Sequence, residues 1–283
     1  MAGGSKPNQR GFFMEADTNK QRRRLMLATL ATVPIVKTSA FASEHKPNAT
    51  APRAIKLDAK PAPITIDAAK TAVIVIDMQN DFGTKGGMFD LAGIEISGIQ
   101  QAVAPTARVL LAAREAGIKI VYLKMGFRPD LSDLGTPNSV NRVRHLRMNV
   151  GKTVLAPDGK ESRILIRDTW NTDILSELKP RTEDIVMYKT RFSGFYKTDL
   201  DLTLKNLGIE YLIFTGCTTS ICVESTVRDA MFRDYLSVVM ADCMDEPIGH
   251  GLPRSNHEAS LLSVEVLLGW VSNSHHFVTA LSV

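Results

Sequence analysis

From residue 64 onward, two apolar patterns take turns along the chain. Short runs rich in β-branched residues give way to longer stretches in which apolar positions recur every three or four residues. The first pattern has the period of strands and the second that of helices. Residues 71–76, 118–123, 184–188, 209–215 and 236–241 read as strands. The run 71–76 is apolar without alternation, so it belongs at the centre of a sheet covered on both faces. Residues 103–116 and 200–207 read as helices stopped by Gly117 and Gly208. Residues 170–178 read as a short helix ended by Pro180, residues 253–268 as a longer helix, and residues 277–281 as a last edge strand. The repeating β–α order predicts an α/β fold in three layers, α/β/α, with a central, mostly parallel sheet of about six strands and right-handed crossovers.

Three segments break this alternation. Residues 1–46 carry Arg22, Arg23 and Arg24, a mildly apolar stretch, then Lys37 and the small-residue site Ala40-Phe41-Ala42. Basic, apolar, then small is the order of an export signal, here of twin-arginine type, and it implies a periplasmic or exported protein. A disordered basic tail, or a start assigned too far upstream, would read the same way and leave the protein cytoplasmic. The apolar part is too short and interrupted to span a membrane. Residues 47–63 are rich in Pro, Ala and Lys and read as a linker, which leaves 64–283 as the folded domain. Residues 126–149 are polar and irregular, and a loop of that length is a candidate specificity loop or lid.

Composition changes the picture little. Hydrophobic residues at 44% and charged residues at 23% are ordinary for a soluble globular chain. Part of the net charge of +4 sits in the basic N-terminal segment, so it gives no reason to expect a nucleic-acid partner. Three cysteines with no C-x-x-C pair suggest neither a disulfide framework nor a structural zinc.

Candidate chemistry gathers where strands end, which is where ligands collect in open α/β sheets. Residues 214–229 pass from a strand through Gly216 and small hydroxyl residues into helical spacing, placing Cys222 at the first turn of a helix. Unpaired N–H groups and the positive end of the helix dipole favour an anion there. They would depress the pKa of a thiol and could hold an oxyanion. Cys222 could equally be a small core residue. Cys217 and Cys243, in or just after apolar strands, read as core. Asp77 directly follows the central strand, either as a catalytic carboxylate or as a turn cap. Lys189 ends the third strand at the same rim, or is a solvated surface charge. The three are chemically complementary. The thiol needs a base and a cation, Asp77 can take its proton and later deliver it to a leaving amine, and Lys189 can hold both anions. No histidine follows a comparable strand end.

Three separated motifs carry a resemblance: VIDMQNDF at 75–82, KTRFSGF at 189–195 and TGCTTSICVEST at 215–226. They resemble those of the isochorismatase-like cysteine hydrolases, and the likeness runs from about residue 64 to the C-terminus. It implies that family's fold and an amidohydrolase with an Asp–Lys–Cys triad at Asp77, Lys189 and Cys222. It also implies a cis peptide between Cys217 and Thr218, with the Thr218 and Cys222 N–H groups as oxyanion donors. Residues 87–93, 191–201, 223–229 and 268–272 are similar to ureidoacrylate amidohydrolases. The loop 127–131 is similar to biuret hydrolase and other N-carbamoyl amide hydrolases. Ureidoacrylate enzymes hold the ureido group with an Asn and a Trp from this loop, where this chain has Met125 and Phe127. Phe192 stands where the motif has Tyr.

The resemblance thus implies metal-independent, cofactor-free cleavage of a C–N bond in a small linear amide or ureido compound through a Cys222 thioester. A nicotinamidase- or maleamate-type amidase and a non-catalytic binding member of the fold are the alternatives. Nicotinamidases of the family bind zinc through an Asp-x-His pair after the second strand. Residues 124–128 carry no such pair, and His145, His250, His257, His275 and His276 lack zinc-site spacing. Isochorismatases proper lack the cysteine. Phe82, Phe127 and Phe192 are the expected apolar wall of the substrate site. Asn80, Arg128 and Asn138 are its candidate polar contacts, with Arg128 suited to a carboxylate. A homo-oligomer, dimer or tetramer, is implied too, and the apolar residues 261–268 are either its interface or core.

Overall fold

The computed structural model describes residues 53–282. The export reading of residues 1–46 therefore lies outside the described residues. In chain order the strands are β1 (Ala54–Leu57), β2 (Ile64–Asp67), β3 (Thr71–Ile76), β4 (Lys119–Met125), β5 (Thr153–Leu155), β6 (Glu161–Arg163), β7 (Ile185–Lys189), β8 (Tyr211–Cys217), β9 (Leu236–Asp245) and β10 (Trp270–Ser272). The α-helices are α1 (Asn80–Gly83), α2 (Met88–Leu91), α3 (Ser97–Gln101), α4 (Val103–Glu115), α5 (Val140–Arg147), α6 (Leu200–Asn206), α7 (Glu224–Met231), α8 (Asn256–Ser263) and α9 (Ser274–Leu281).

Six strands form the central sheet in the order β10-β9-β8-β3-β4-β7, and every neighbouring pair is parallel. The unbroken apolar run of β3 places it inside this sheet, and each of its residues is buried. Successive side chains alternate between two cores. Val73 and Val75 face the layer that contains α4 and α9, with Val109, Leu110, Phe277 and Leu281. Ala72, Ile74 and Ile76 face the layer that contains α6 and α7, with Leu200, Leu204, Val227 and Ala230. Burying a side chain of Val or Ile size stabilises by about 1.5–3 kcal/mol, so β3 anchors both layers at once. From β3 the chain builds outward through β4 to β7 on one side, and later through β8 to β10 on the other. The carboxyl end of β3 is therefore a topological switch point, where a crevice opens.

Four readings change. Residues 54–57 are not linker. Their alternating burial lets β1 pair antiparallel with β2. Residues 277–281 are helix, part of α9, because the Asn273 side chain caps it by accepting from the His276 N–H. The last sheet strand is β10 instead. Residues 170–178 form two single 3₁₀ turns, Trp170–Thr172 and Ser176–Leu178, separated by an extended piece in which Ile174 bridges to Gln79. The loop 126–149 contains a real helix, α5, capped by Ser139. Among the described residues no helix is long and apolar enough to cross a membrane.

One glycine sets how closely the two strands flanking the crevice approach. Gly216 lies opposite Ile76 with φ +120°, and a Cβ there would sit 2.0 Å from the Ile76 carbonyl oxygen. Any side chain must push β8 away from β3 or distort the register shift between Phe214 and Gly216. Gly216→Ala is expected to cost at least about 2 kcal/mol, which lowers Tm by about 4–8 °C in a chain of this size. Calorimetry checks this, and an unchanged Tm would mean that the strands do not approach so closely.

Candidate active site

Asp77 leaves β3 with φ +53°, a left-handed conformation that Asp tolerates better than most residues. Its backbone is held on three sides. The N–H donates to the Leu123 carbonyl at 2.9 Å, and the carbonyl accepts from the Gln79 N–H at 2.8 Å and the Cys217 thiol at 3.1 Å. The Gln79 side chain then locks this bend to the end of β4. Its Nε2 donates to the Met125 carbonyl at 2.9 Å, and its Oε1 accepts the Met125 N–H at 2.6 Å. Asp81 holds the next turn. Its carboxylate accepts from the Met88 and Leu165 N–H groups at 2.9 and 2.7 Å and from the Asn171 amide. Burial pushes the Asp81 carboxyl up to about 6, and these donors oppose that rise.

The side chain fixed by this bend meets a lysine. Lys189 Nζ lies 2.7 Å from Asp77 Oδ2, with the side chains 0% and 1% exposed. The solvated-charge reading of Lys189 is thereby excluded. The ammonium also donates to the Arg191 carbonyl at 3.3 Å and contacts Met125 Sδ at 3.8 Å. Burial acts to lower the Lys189 pKa, but Asp77 and Cys222 more than offset it, so the lysine stays charged.

Cys222 comes to the same place from β8. That strand ends at a cis Cys217–Thr218 peptide, and the chain enters a π-type turn, Thr219–Val223, that runs straight into α7. Glu246 secures the turn by accepting from the Ser220 N–H and hydroxyl at 3.0 and 2.5 Å and from the Ile248 N–H at 3.0 Å. Thr226 joins the Cys222 carbonyl to the Gly194 N–H, tying the helix that follows Cys222 to the segment after Lys189. The Cys222 thiol lies close enough to both Asp77 and Lys189 for each charge to act on it. The expectation of a depressed thiol pKa is overturned. Burial pushes it well above the ordinary thiol range, Lys189 only partly opposes this, and Asp77 adds to the rise. At rest Cys222 is a thiol beside a carboxylate whose own pKa burial has raised.

These groups form the floor of a cavity of about 530 Å³, with Asp77, Thr218 and Cys222 exposed to it and Lys189 sealed beneath. Phe82 and Phe192 line the wall as expected. Phe127 stands one layer back, fully buried, with its ring 5.2 Å from that of His145. The expected polar contacts lie elsewhere. Asn80 faces a different groove, donating to the Trp170 carbonyl and accepting from the Thr84 hydroxyl. Arg128 and Asn138 are exposed on the loop and do not line the cavity. Sequence reasoning missed Arg144 and His145, which reach the cavity from α5. The available signal was Ser139 followed by Val140 and Val143 at helical spacing. Among the described residues no three His, Cys, Asp or Glu side chains are placed to hold a metal ion.

Comparison with known proteins agrees with this architecture. The isochorismatase domain family matches residues 71–275, and the chain belongs to that family. A ureidoacrylate amidohydrolase, RutB, of Methylorubrum extorquens strain DM4 is 41% identical over 229 residues, which cover 81% of this chain and 90% of that one. The protein of the same name from Variovorax paradoxus is 40% identical, over 82% of this chain and 88% of its own. A solved cysteine hydrolase from Pseudomonas syringae pv. phaseolicola has a TM-score of 0.63 at 27% identity, over 82% of this chain and 99% of its own.

The buried pair carries a prediction. Lys189→Met strips the buried Asp77 carboxylate of its partner, so it must stay unpaired or take up a proton, which should cost about 3–5 kcal/mol in urea unfolding. Adding Asp77→Asn removes the stranded charge and should recover most of that loss. If the single variant is as stable as wild type, the pair is not buried.

Proposed function

We propose that this chain is a cysteine amidohydrolase that cleaves a C–N bond in a small ureido or linear amide compound through a thioester. The observation that supports it most is the sealed Asp77–Lys189 pair at the floor of one cavity that the Cys222 thiol also lines. Relatives named ureidoacrylate amidohydrolases, at about 40% identity, favour the ureido class.

The proton inventory sets the order of events. The thiol starts protonated, so Asp77 takes its proton as the sulfur attacks the carbonyl carbon. Lys189 holds the ionised sulfur during this transfer. The Thr218 and Cys222 N–H groups receive the oxyanion. On collapse the C–N bond breaks and Asp77 returns the proton to the departing nitrogen. Water then attacks the thioester, giving its proton to Asp77, and the sulfur leaves as the thiol. A ureido substrate losing ammonia in the first half releases a carbamic acid in the second, which decomposes to an amine and carbon dioxide. Arg144, exposed at the cavity and without a side-chain hydrogen bond or ion pair among the described residues, suits a substrate carboxylate in the role expected of Arg128.

Ammonia release from ureido acids, biuret, nicotinamide and maleamate tests this reading. Ureido acids are expected to show the highest kcat/KM, and Cys222→Ala to lower it by at least about 10⁴-fold with an unchanged melting curve. Near-wild-type turnover by the alanine variant would refute the thioester route. No turnover of any amide would favour a binding role.

Two further proposals concern setting. Leu262, Val266 and Leu267, 45%, 65% and 77% exposed on α8 and the turn after it, would be covered by a second copy of the chain. Residues 1–42 would be removed on export. Light scattering should give a dimer or tetramer, and N-terminal sequencing of the periplasmic protein should begin at Ser43. A monomer, or an intact N-terminus in the cytoplasm, would dismiss the respective proposal.

A further inference from the structure

Most of the cavity wall cannot accept a hydrogen bond. It is built largely from Phe82, Met88, Met125, Met148, Ile221 and similar side chains. Of the acceptors that do reach it, Glu246 is committed to Ser220 and Ile248, and Asp77 to Lys189 and Cys222. Glu95, at the exposed rim, accepts from the Ser97 N–H, and the Thr218 hydroxyl stands on the floor with Cys222.

His145 is different. Its Nδ1 lies 2.6 Å from the Asn141 carbonyl oxygen, which can only accept, so Nδ1 carries the proton and Nε2 is left with its lone pair. Among the described residues nothing bonds to Nε2, and it is not one of the polar atoms sealed in the core. The ring lines the cavity and is fixed between two aromatic neighbours, Phe127 at 5.2 Å and Phe192 at 6.0 Å. Burial lowers its pKa, and the charges of Lys189 and Arg191 add to that, so the imidazole stays neutral at neutral pH.

We propose that His145 Nε2 accepts the N–H on the retained side of a ureido carbonyl, the group that distinguishes a ureido compound from a plain amide. This rests on the amidohydrolase reading above. When Cys222 attacks a ureido carbon, one nitrogen leaves and the other stays on the acyl group. The retained nitrogen carries a hydrogen into a wall that offers mostly carbon and sulfur. A fixed, neutral acceptor satisfies it, and a methylene in the same place leaves the acceptor unpaired.

N-carbamoylglycine and succinamate differ only in NH against CH₂ at this position, so they isolate the contact. His145→Leu is expected to lower kcat/KM for N-carbamoylglycine at least about tenfold, while changing that for succinamate by less than about threefold. His145→Gln, which offers an amide oxygen, should recover part of the lost preference. Equal losses on both compounds, or no loss on either, would overturn the inference and assign the ring a packing role. If the leucine variant does not fold, a folded glutamine variant that has lost the preference entirely would overturn it as well. Failure of the wild type to hydrolyse either compound would instead count against the amidohydrolase reading, and this inference would fall with it.

Discussion

Asp77 and Lys189 come from strands that are not neighbours. β4 lies between β3 and β7, and the two side chains meet across its carboxyl end, beside Met125. An ion taken that far from water is costly unless its partner is in place. The rim of the sheet must therefore hold three strand ends in fixed register before the pair can form. The hydrogen bonds around it do this with backbone groups: Asp77 to Leu123, Gln79 to Met125 on both edges of its amide, and Cys217 back to Asp77. The site is stiff because a buried charge pair does not tolerate a loose frame.

That stiffness shapes the chemistry. A cysteine open to solvent at a helix start would sit partly ionised and react with any electrophile. Here burial keeps the Cys222 proton on sulfur, and beside it stands a carboxylate made more basic by the same burial. On the proposed route, ionisation is thus coupled to attack on a substrate that occupies the cavity. The apolar wall adds to this by excluding water from the reacting groups, which strengthens every charge interaction among them.

The central sheet was legible because a run such as Thr71–Ile76 has few other ways to bury every side chain. The meeting of Asp77, Lys189 and Cys222 was legible because strand ends and motif spacing point to the same residues. What escaped has physical causes. Arg142, Arg144 and Arg147 dilute the apolar spacing of α5, so a helix that reaches the cavity reads as loop. The β-branched and aromatic content of residues 277–281 suggests strand, yet the cap at Asn273 decides for helix. Helix-start geometry at Cys222 can be read from spacing, but burial cannot, and burial decides the direction of its pKa.

The piece of chain before β2 has a role that composition conceals. Lys60 lies against β10, the edge of the sheet, with its N–H on the Val271 carbonyl at 2.8 Å and its carbonyl on the Val271 N–H at 3.0 Å. An uncovered edge would offer those groups to any passing strand. A stretch rich in lysine and proline stands guard there instead, so the molecule ends its own sheet with a segment poorly suited to extending anyone else's.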